Sequence, residues 1–342
     1  MLGTTFNPFA VDAYSLVNMT TAFNTIPNMY GAIKDLGIFS DQGLLTKTAI
    51  VERRNGVLNL LPSVPFGAPP NVNTSAKREV FSFAVPHIPV QDTVLPSDVS
   101  GIRAFGTGNV LETIDDRIAL KLDEMSRKHD ITLEFLRVGA LRGIVVDGDG
   151  STTIANLFTA FGITQKVIDS QFSSSTLNTQ KAVQDISRYF EDNLKGETMS
   201  EIVVFCSGTW WDAFTNHPNV KTAYQYFVSN QMILRDDLRK KGFVYQGVRF
   251  IEYRGFASLP SGSTVQFIPT DEAIAFPIGT SPTMYVNHYA PADFNETVNT
   301  VGLPRYAKME PRRMGQGWDI WTESNPLPIV TRPDLLVRLT KS

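Results

Sequence analysis

Cys206 is the only cysteine in the 342 residues, and it closes the short apolar run Ile202 to Cys206 just ahead of Ser207-Gly208. A thiol at the start of a helix can be held as a thiolate by nearby positive charge, so this is where the chain could carry a nucleophile. Such a thiol needs a base beside it, and the four histidines lie far apart in sequence. His129 falls on the apolar face of a predicted helix, His87 sits between Pro86 and Pro89, and His217 opens a helix at His217-Pro218. A buried structural cysteine is the simpler reading. Asp147-Gly148-Asp149-Gly150 has the composition of a calcium loop, but an EF-hand opening at Asp147 needs glutamate at its twelfth position, where Phe158 stands. It reads as a hairpin turn. Gly106-Thr107-Gly108 lacks the third glycine and the preceding strand of a dinucleotide site. With no GxSxG, Walker A, HExxH or CxxC, no catalytic, cofactor-binding or metal-ligating residue is assigned, and Trp210-Trp211 read as a core and surface anchor.

The elements that would position any chemistry are organised around one long helix, predicted over 109–142. Leu111, Ile114, Ile118, Leu122, Met125, Leu133, Leu136 and Ala140 recur three or four apart, a single stripe on a 3.6-residue helix. Asn109 stands at the N-cap position with Glu112 three residues on, and Gly143 closes the helix after Arg142. Asp123 with Arg127 and Glu124 with Lys128 are spaced as i,i+4 pairs off the stripe. Such a helix would be roughly 50 Å long.

Residues 1–46 alternate short apolar groups with Asn, Thr, Pro and Gly, and only Ala32 to Leu36 suggests a helical turn. Phe6, Phe9, Tyr14, Phe23 and Tyr30 make this stretch an arm laid on a neighbour rather than a loose tail. Lys47 to Glu52 and Arg78 to Val85 are predicted strands, separated by the proline-rich stretch from Pro62 to Pro70. They form a two-stranded finger, which is marginal in water unless it lies on another surface, here a second subunit. The finger carries Arg53, Arg54, Lys77 and Arg78 beside Phe81 and Phe83, with Phe66 near its tip, and these seven are the candidate subunit-interface residues. Deleting Pro62 to Ala76 should spare folding and block assembly. Charge reversal at Arg53 and Arg54 should weaken assembly less, because exposed pairs are worth under about 1 kcal/mol.

Beyond the long helix, a second amphipathic helix runs from Asn178 to Leu194, a buried-type strand covers Ile202 to Cys206, and helical stretches follow at Thr209 to Thr215 and Asn219 to Val228. A hairpin turns at Gln246-Gly247, and strands are predicted at Thr264 to Pro269 and Ala273 to Phe276. This α/β unit, about 176–274, should fold nearly independently. Trp318 to Thr322 and Leu335 to Leu339 keep a period of two and are expected to rejoin the sheet behind the long helix. The fold class is therefore α+β. A hydrophobic fraction of 42%, 19% charged residues and a net charge of −3 are those of a folded soluble chain without a nucleic-acid-binding surface. No apolar run reaches the ~18 residues of a membrane span.

The order of arm, proline-tipped finger, long helix, inserted α/β unit and returning strands resembles the HK97-like fold of tailed-phage major capsid proteins. Lys47-Thr48-Ala49-Ile50-Val51-Glu52 and Gly56-Val57-Leu58-Asn59-Leu60-Leu61-Pro62 are similar to the finger of the major capsid protein E family. Gly317-Trp318-Asp319-Ile320-Trp321-Thr322-Glu323-Ser324-Asn325-Pro326-Leu327 and Arg332-Pro333-Asp334-Leu335-Leu336-Val337 are similar to its ending, and His217-Pro218-Asn219-Val220 also fits. The resemblance implies an N-arm at 1–46, an E-loop at 47–92, a P domain at 93–175 with its spine helix, an inserted A domain at 176–274 and a return to the P domain over 275–342. It implies a shell subunit that associates with itself in hexamers and pentamers of a virion enclosing double-stranded DNA, assembled in the host cytoplasm. With fewer than about 50 residues ahead of the finger, scaffolding is expected from a separate protein, with portal and decoration proteins as further partners and only weak contact with packaged DNA. An encapsulin-like compartment sharing the fold is the alternative, and a cytosolic enzyme using Cys206 is the reading from another class.

Overall fold

A computed structural model describes residues 31–55, 77–100, 113–172, 178–223 and 241–341. The long helix is Ile114–Arg142, 29 residues, or about 43 Å. It starts later than expected. Thr113 is its cap, with extended backbone at φ −93° and ψ 159°, and its hydroxyl accepts from the Asp116 amide at 3.1 Å while the Asp116 carboxylate accepts in return. The expected cap at Asn109 and Glu112 lies outside the described residues, and the capping box one turn further on is what fixes the helix start. At the other end Gly143 takes the left-handed conformation at φ 80°, where a Cβ would collide with the Phe158 ring.

The two halves of this helix meet different surroundings. Ile118, Leu122 and Met125 pack on Val94, Ala307, Met309 and Ile320 of an antiparallel sheet formed by Tyr306–Pro311, Trp318–Ser324 and Ile88–Val94. Asp123–Arg127 and Glu124–Lys128 face solvent at 2.7 and 3.5 Å, as their spacing predicts. From Leu136 to Leu141 every residue is buried, so the last turns run through the main core. There the helix lies against Pro326–Val330, a strand that sequence reading passes over because of its two prolines. Among the described residues it is an edge strand, paired only with Tyr285–Tyr289, and an edge tolerates the missing amides.

Residues 31–46, expected as part of the arm, are folded into the body. Ala32–Leu36 is the predicted helical turn, with Ile33 buried, and Ser40–Gly43 pairs in parallel with Tyr285–Tyr289.

The largest sheet has six strands, in the order Lys166–Asp169, Val337–Thr340, Glu272–Ile278, Glu201–Cys206, Val248–Glu252 and Phe243–Tyr245. The hairpin at Gln246-Gly247 is as expected, with positive φ of 52° and 80° at the turn. Two expectations are corrected. Val337–Thr340 joins this sheet and not the one behind the long helix, because it pairs with Glu272–Ile278 on one side and Lys166–Asp169 on the other. The border at 274 cuts through Glu272–Ile278, and two of the six strands come from outside 176–274. A fragment of residues 176–274 should therefore give no cooperative thermal transition, since its third strand is halved and left bare on one edge. Extending it to residues 166–278 and adding 337–340 through a linker should restore one, and calorimetry of the pair checks this.

Candidate subunit-contact surface

The finger is real and stands apart. Thr48–Asn55 and Lys77–Ala84 pair antiparallel from Thr48↔Ala84 to Asn55↔Lys77, and neither strand joins another sheet among the described residues. Alternation divides its base into two faces. On the inner face Ala49, Val51 and Phe83 are buried, with the rings of Phe81 and Phe83 lying 4.3 and 6.2 Å from Phe161 of the same chain. Phe81 and Phe83, expected at a subunit interface, thus anchor the base of the finger to its own body. On the outer face Ile50 is 63% exposed and Val80 59% exposed. Arg53, Arg54, Lys77 and Arg78 lie on the paired strands, with Arg53 opposite Glu79 and Arg54 opposite Arg78, and their side chains fall outside the described residues, as does Phe66.

At the foot of the finger Lys47 Nζ lies 2.8 Å from Asp293, and the amide of Gly302 donates to Leu44 O at 2.8 Å. This brings the exposed side chains of Leu45 and Val301 to one place, with Val298 and Leu303 close by in the same loop. Glu323 supports the foot from inside. Fully buried, its Oε1 accepts from the Asp293 amide at 3.0 Å and from Asn325 Nδ2 at 2.6 Å, and lies 3.1 Å from His87 Nδ1. Asn325 in turn accepts from the Ile88 amide and donates to Pro291 O. The run Glu323-Ser324-Asn325-Pro326 is thus a polar staple joining three chain segments.

The same logic holds the long helix, and sequence reading missed it. Between Met125 and Leu133 the stripe is interrupted by Ser126, His129 and Asp130, all buried. Arg305, itself buried, reaches down to Asp130 and donates to Ser126 Oγ at 2.5 Å. One turn on, Glu134 Oε1 accepts from the Ile33 amide at 3.0 Å and from Tyr253 Oη at 3.1 Å, tying the helix to the start of the described chain and to the six-stranded sheet. Burial pushes the Glu134 carboxyl above its usual range. Arg137 reaches Asn287 at 3.4 Å, and Asn287 donates to Asp41 at 2.8 Å. The available signal was a helix whose inward row carried charge at Asp130, Glu134 and Arg137, three or four residues apart.

His129 Nε2 lies 3.1 Å from Thr322 Oγ1, and burial, reinforced by the charge of Arg305, depresses its pKa from 6.5 to about 3. The unfolded chain therefore binds this proton and the folded chain does not, so the stability this histidine contributes is complete above pH 6.5 and is lost as pH falls toward 3. Between pH 6.5 and 5 the loss should be about 2 kcal/mol. Glu134 acts with the opposite sign. Denaturant titrations of unassembled subunits should show the fall, and His129→Gln should flatten it.

The residues with catalytic potential are placed plainly. Cys206 is fully buried, its thiol pushed well above the ordinary range by burial, with Val204 O as a weak partner at 3.7 Å and the Ile251 backbone as another. Native protein should leave it unlabelled by a thiol reagent that reacts fully in denaturant. Asp149 of the expected turn accepts from the Thr152 hydroxyl and the Ser151 and Thr152 amides, which lower its pKa, so its carboxylate is occupied by its own loop. Trp210 and Trp211 are both core residues, with the Trp210 ring stacked on Phe250.

The same architecture recurs in solved structures. A phage-related protein from Bordetella bronchiseptica RB50 aligns with a TM-score of 0.54 at 10% identity, covering 94% of this chain and 97% of that one. The capsid of Ralstonia phage GP4 aligns at 0.51 and 9% identity, covering 89% and 87%. At such identity the likeness defines a fold, the HK97-like capsid fold. The sequence then fixes the family: a model for phage major capsid protein E matches residues 15–341, and the chain belongs to that family. It is 28% identical to the major capsid protein of Pseudomonas phage KPP10, over 97% of its own length and 98% of the relative's. It is also 28% identical to that of Salmonella phage Felix O1, over 95% of each. The protein is a major capsid protein of a tailed phage or prophage and a component of the virion. No helix among the described residues is long and apolar enough to cross a membrane.

Proposed function

We propose that this chain builds hexamers and pentamers of an icosahedral shell around double-stranded DNA, and that it works by contact and not by catalysis. The observation that carries this reading is the finger: a two-stranded ribbon outside every other sheet, anchored at its base through Phe81 and Phe83 and presenting Ile50 and Val80 outward. The interface on the finger then comprises Ile50 and Val80 together with Arg53, Arg54, Phe66, Lys77 and Arg78. Phe81 and Phe83 serve it by holding the ribbon in place. The N-arm, E-loop, P domain and A domain are the working parts, with the A–P border drawn so that 337–340 belongs with the six-stranded sheet. A separate scaffolding protein, a portal and a decoration protein are the further partners, and contact with packaged DNA is weak at a net charge of −3. Expression with the neighbouring scaffolding gene, followed by electron microscopy and sedimentation, tests the reading. Closed shells or capsomers are expected, and a monomer at every concentration and salt condition would defeat it.

A further inference from the structure

A cleft of about 420 Å³ opens in the six-stranded sheet's flank, between the start of the helix Gly208–Asn216, the end of Val248–Glu252 and the small hairpin Phe256–Ser258 with Thr264–Gln266. That is within the roughly 300–1,000 Å³ of sites that accept a small ligand, so it takes a few side chains and not a folded domain. At its floor stands Ser207, the residue before the helix, only 4% exposed. Its hydroxyl caps nothing and has no hydrogen-bond partner among the described residues. A buried hydroxyl left so costs free energy unless something reaches it. The first amides of the helix, which have no intrahelical acceptor, lie beside it. Of the cleft's charges Arg254 lies 3.9 Å from Glu252, and Asp212 remains as a carboxylate that disfavours an acidic occupant, while Tyr253, Phe256 and Ile268 supply apolar wall. Its complement is an uncharged segment with carbonyl groups and apolar or aromatic side chains.

Such a segment ends next to the cleft. Gly31, the first described residue, has φ 127°, and a Cβ on it would come 2.9 Å from Glu134 Oε1. That oxygen accepts from Tyr253 Oη at 3.1 Å, and Tyr253 Oη lies 2.7 Å from where a Cβ of Gly255 would be, on the cleft wall. Three short contacts therefore lead from the point where the chain enters the described body to the cleft. The eighteen residues before Gly31, 13–30, contain no Asp, Glu, Lys or Arg, and the last five include Ile26, Met29 and Tyr30. Five extended residues span about 17 Å, enough to enter the cleft from Gly31.

We propose that the cleft is the docking site of the chain's own residues 26–30, so that the unassembled subunit holds the root of its N-terminal arm against the six-stranded sheet. The proposal goes beyond shell formation and does not depend on it. It is tested on the full-length unassembled protein carrying p-benzoylphenylalanine in place of Gln266, an exposed cleft residue. Equal amounts of isotopically light and heavy protein are mixed, irradiated and digested. Crosslinks should fall within residues 23–30 and join segments of one isotopic label, and adding Thr270→Trp, which fills the cleft from an exposed position, should cut their yield at least fivefold. Crosslinks joining light to heavy copies would assign the cleft to a neighbour's segment. Crosslinks to any other part of the chain, or none at all, would overturn the proposal, as would hydrogen exchange at the amides of residues 208–210 that is unchanged by Thr270→Trp.

Discussion

Arg305→Ala is expected to destabilise the unassembled subunit by about 3 to 5 kcal/mol, the cost of leaving a buried charge without its partner. The Asp130 side chain is 1% exposed and that of Arg305 10%. Removing the guanidinium strands a carboxylate that water cannot reach, while Ser126 loses its donor as well. Asp130→Ala should cost a similar amount for the converse reason. The double variant should fall well short of the sum, because once both charges are gone neither is stranded. Arg305→Met with Asp130→Leu, which restores apolar volume, should recover part of the loss. Denaturant unfolding of the four proteins measures the cycle. A single-variant loss under about 1 kcal/mol would mean that the pair is solvated and that the helix is held by its apolar stripe alone.

The second large effect is on assembly. Ile50→Asp combined with Val80→Asp should leave the subunit folded, with an unchanged melting midpoint, and abolish closed shells. Both side chains are more than half exposed, so the substitutions touch no core packing. Each forfeits about 1.5 to 3 kcal/mol of apolar burial at every finger contact and adds a carboxylate that must be desolvated there. The paired register places Ile50 opposite Ser82 and Glu52 opposite Val80, so the two aspartates share one face and repel as well. Electron microscopy and sedimentation of the double variant beside the parent protein, made under the same assembly conditions, give the answer. Normal shells from the double variant would show that the outer face of the finger base is not a subunit contact.

What was legible in the sequence was local. Thr113 apart, the helix ends were marked by their caps, the turn at Gln246-Gly247 by residues that accept positive φ, and the finger by two alternating runs around a proline-rich break. What was not legible was pairing across distance. Nothing in Ser40-Asp41-Gln42-Gly43 announces a parallel partner at Tyr285–Tyr289, and Pro326–Val330 looked like a break because an edge strand can do without the amides that prolines lack. The inward charges failed for a related reason. Asp130, Glu134 and Arg137 have the composition of a solvated face, and only the arrival of Arg305, Tyr253 and Asn287 from remote segments makes them interior residues. On the finger, the alternation marks Phe81 and Phe83 as one apolar face, but Phe161, which claims it for the same chain, lies some 80 residues away.

The six-stranded sheet has a consequence for synthesis. Its second strand, Val337–Thr340, is made some 60 residues after Glu272–Ile278 and some 170 after Lys166–Asp169, yet it sits between them. A nascent or prematurely terminated chain carries a gap in the middle of that sheet, with two strand edges exposed to pairing with other polypeptides. That sheet therefore closes only after residue 340 has been made, and a subunit becomes a sound building block only when Val337–Thr340 slides into place. The late strand thus acts as a check that the two strands it joins have been made and are in register.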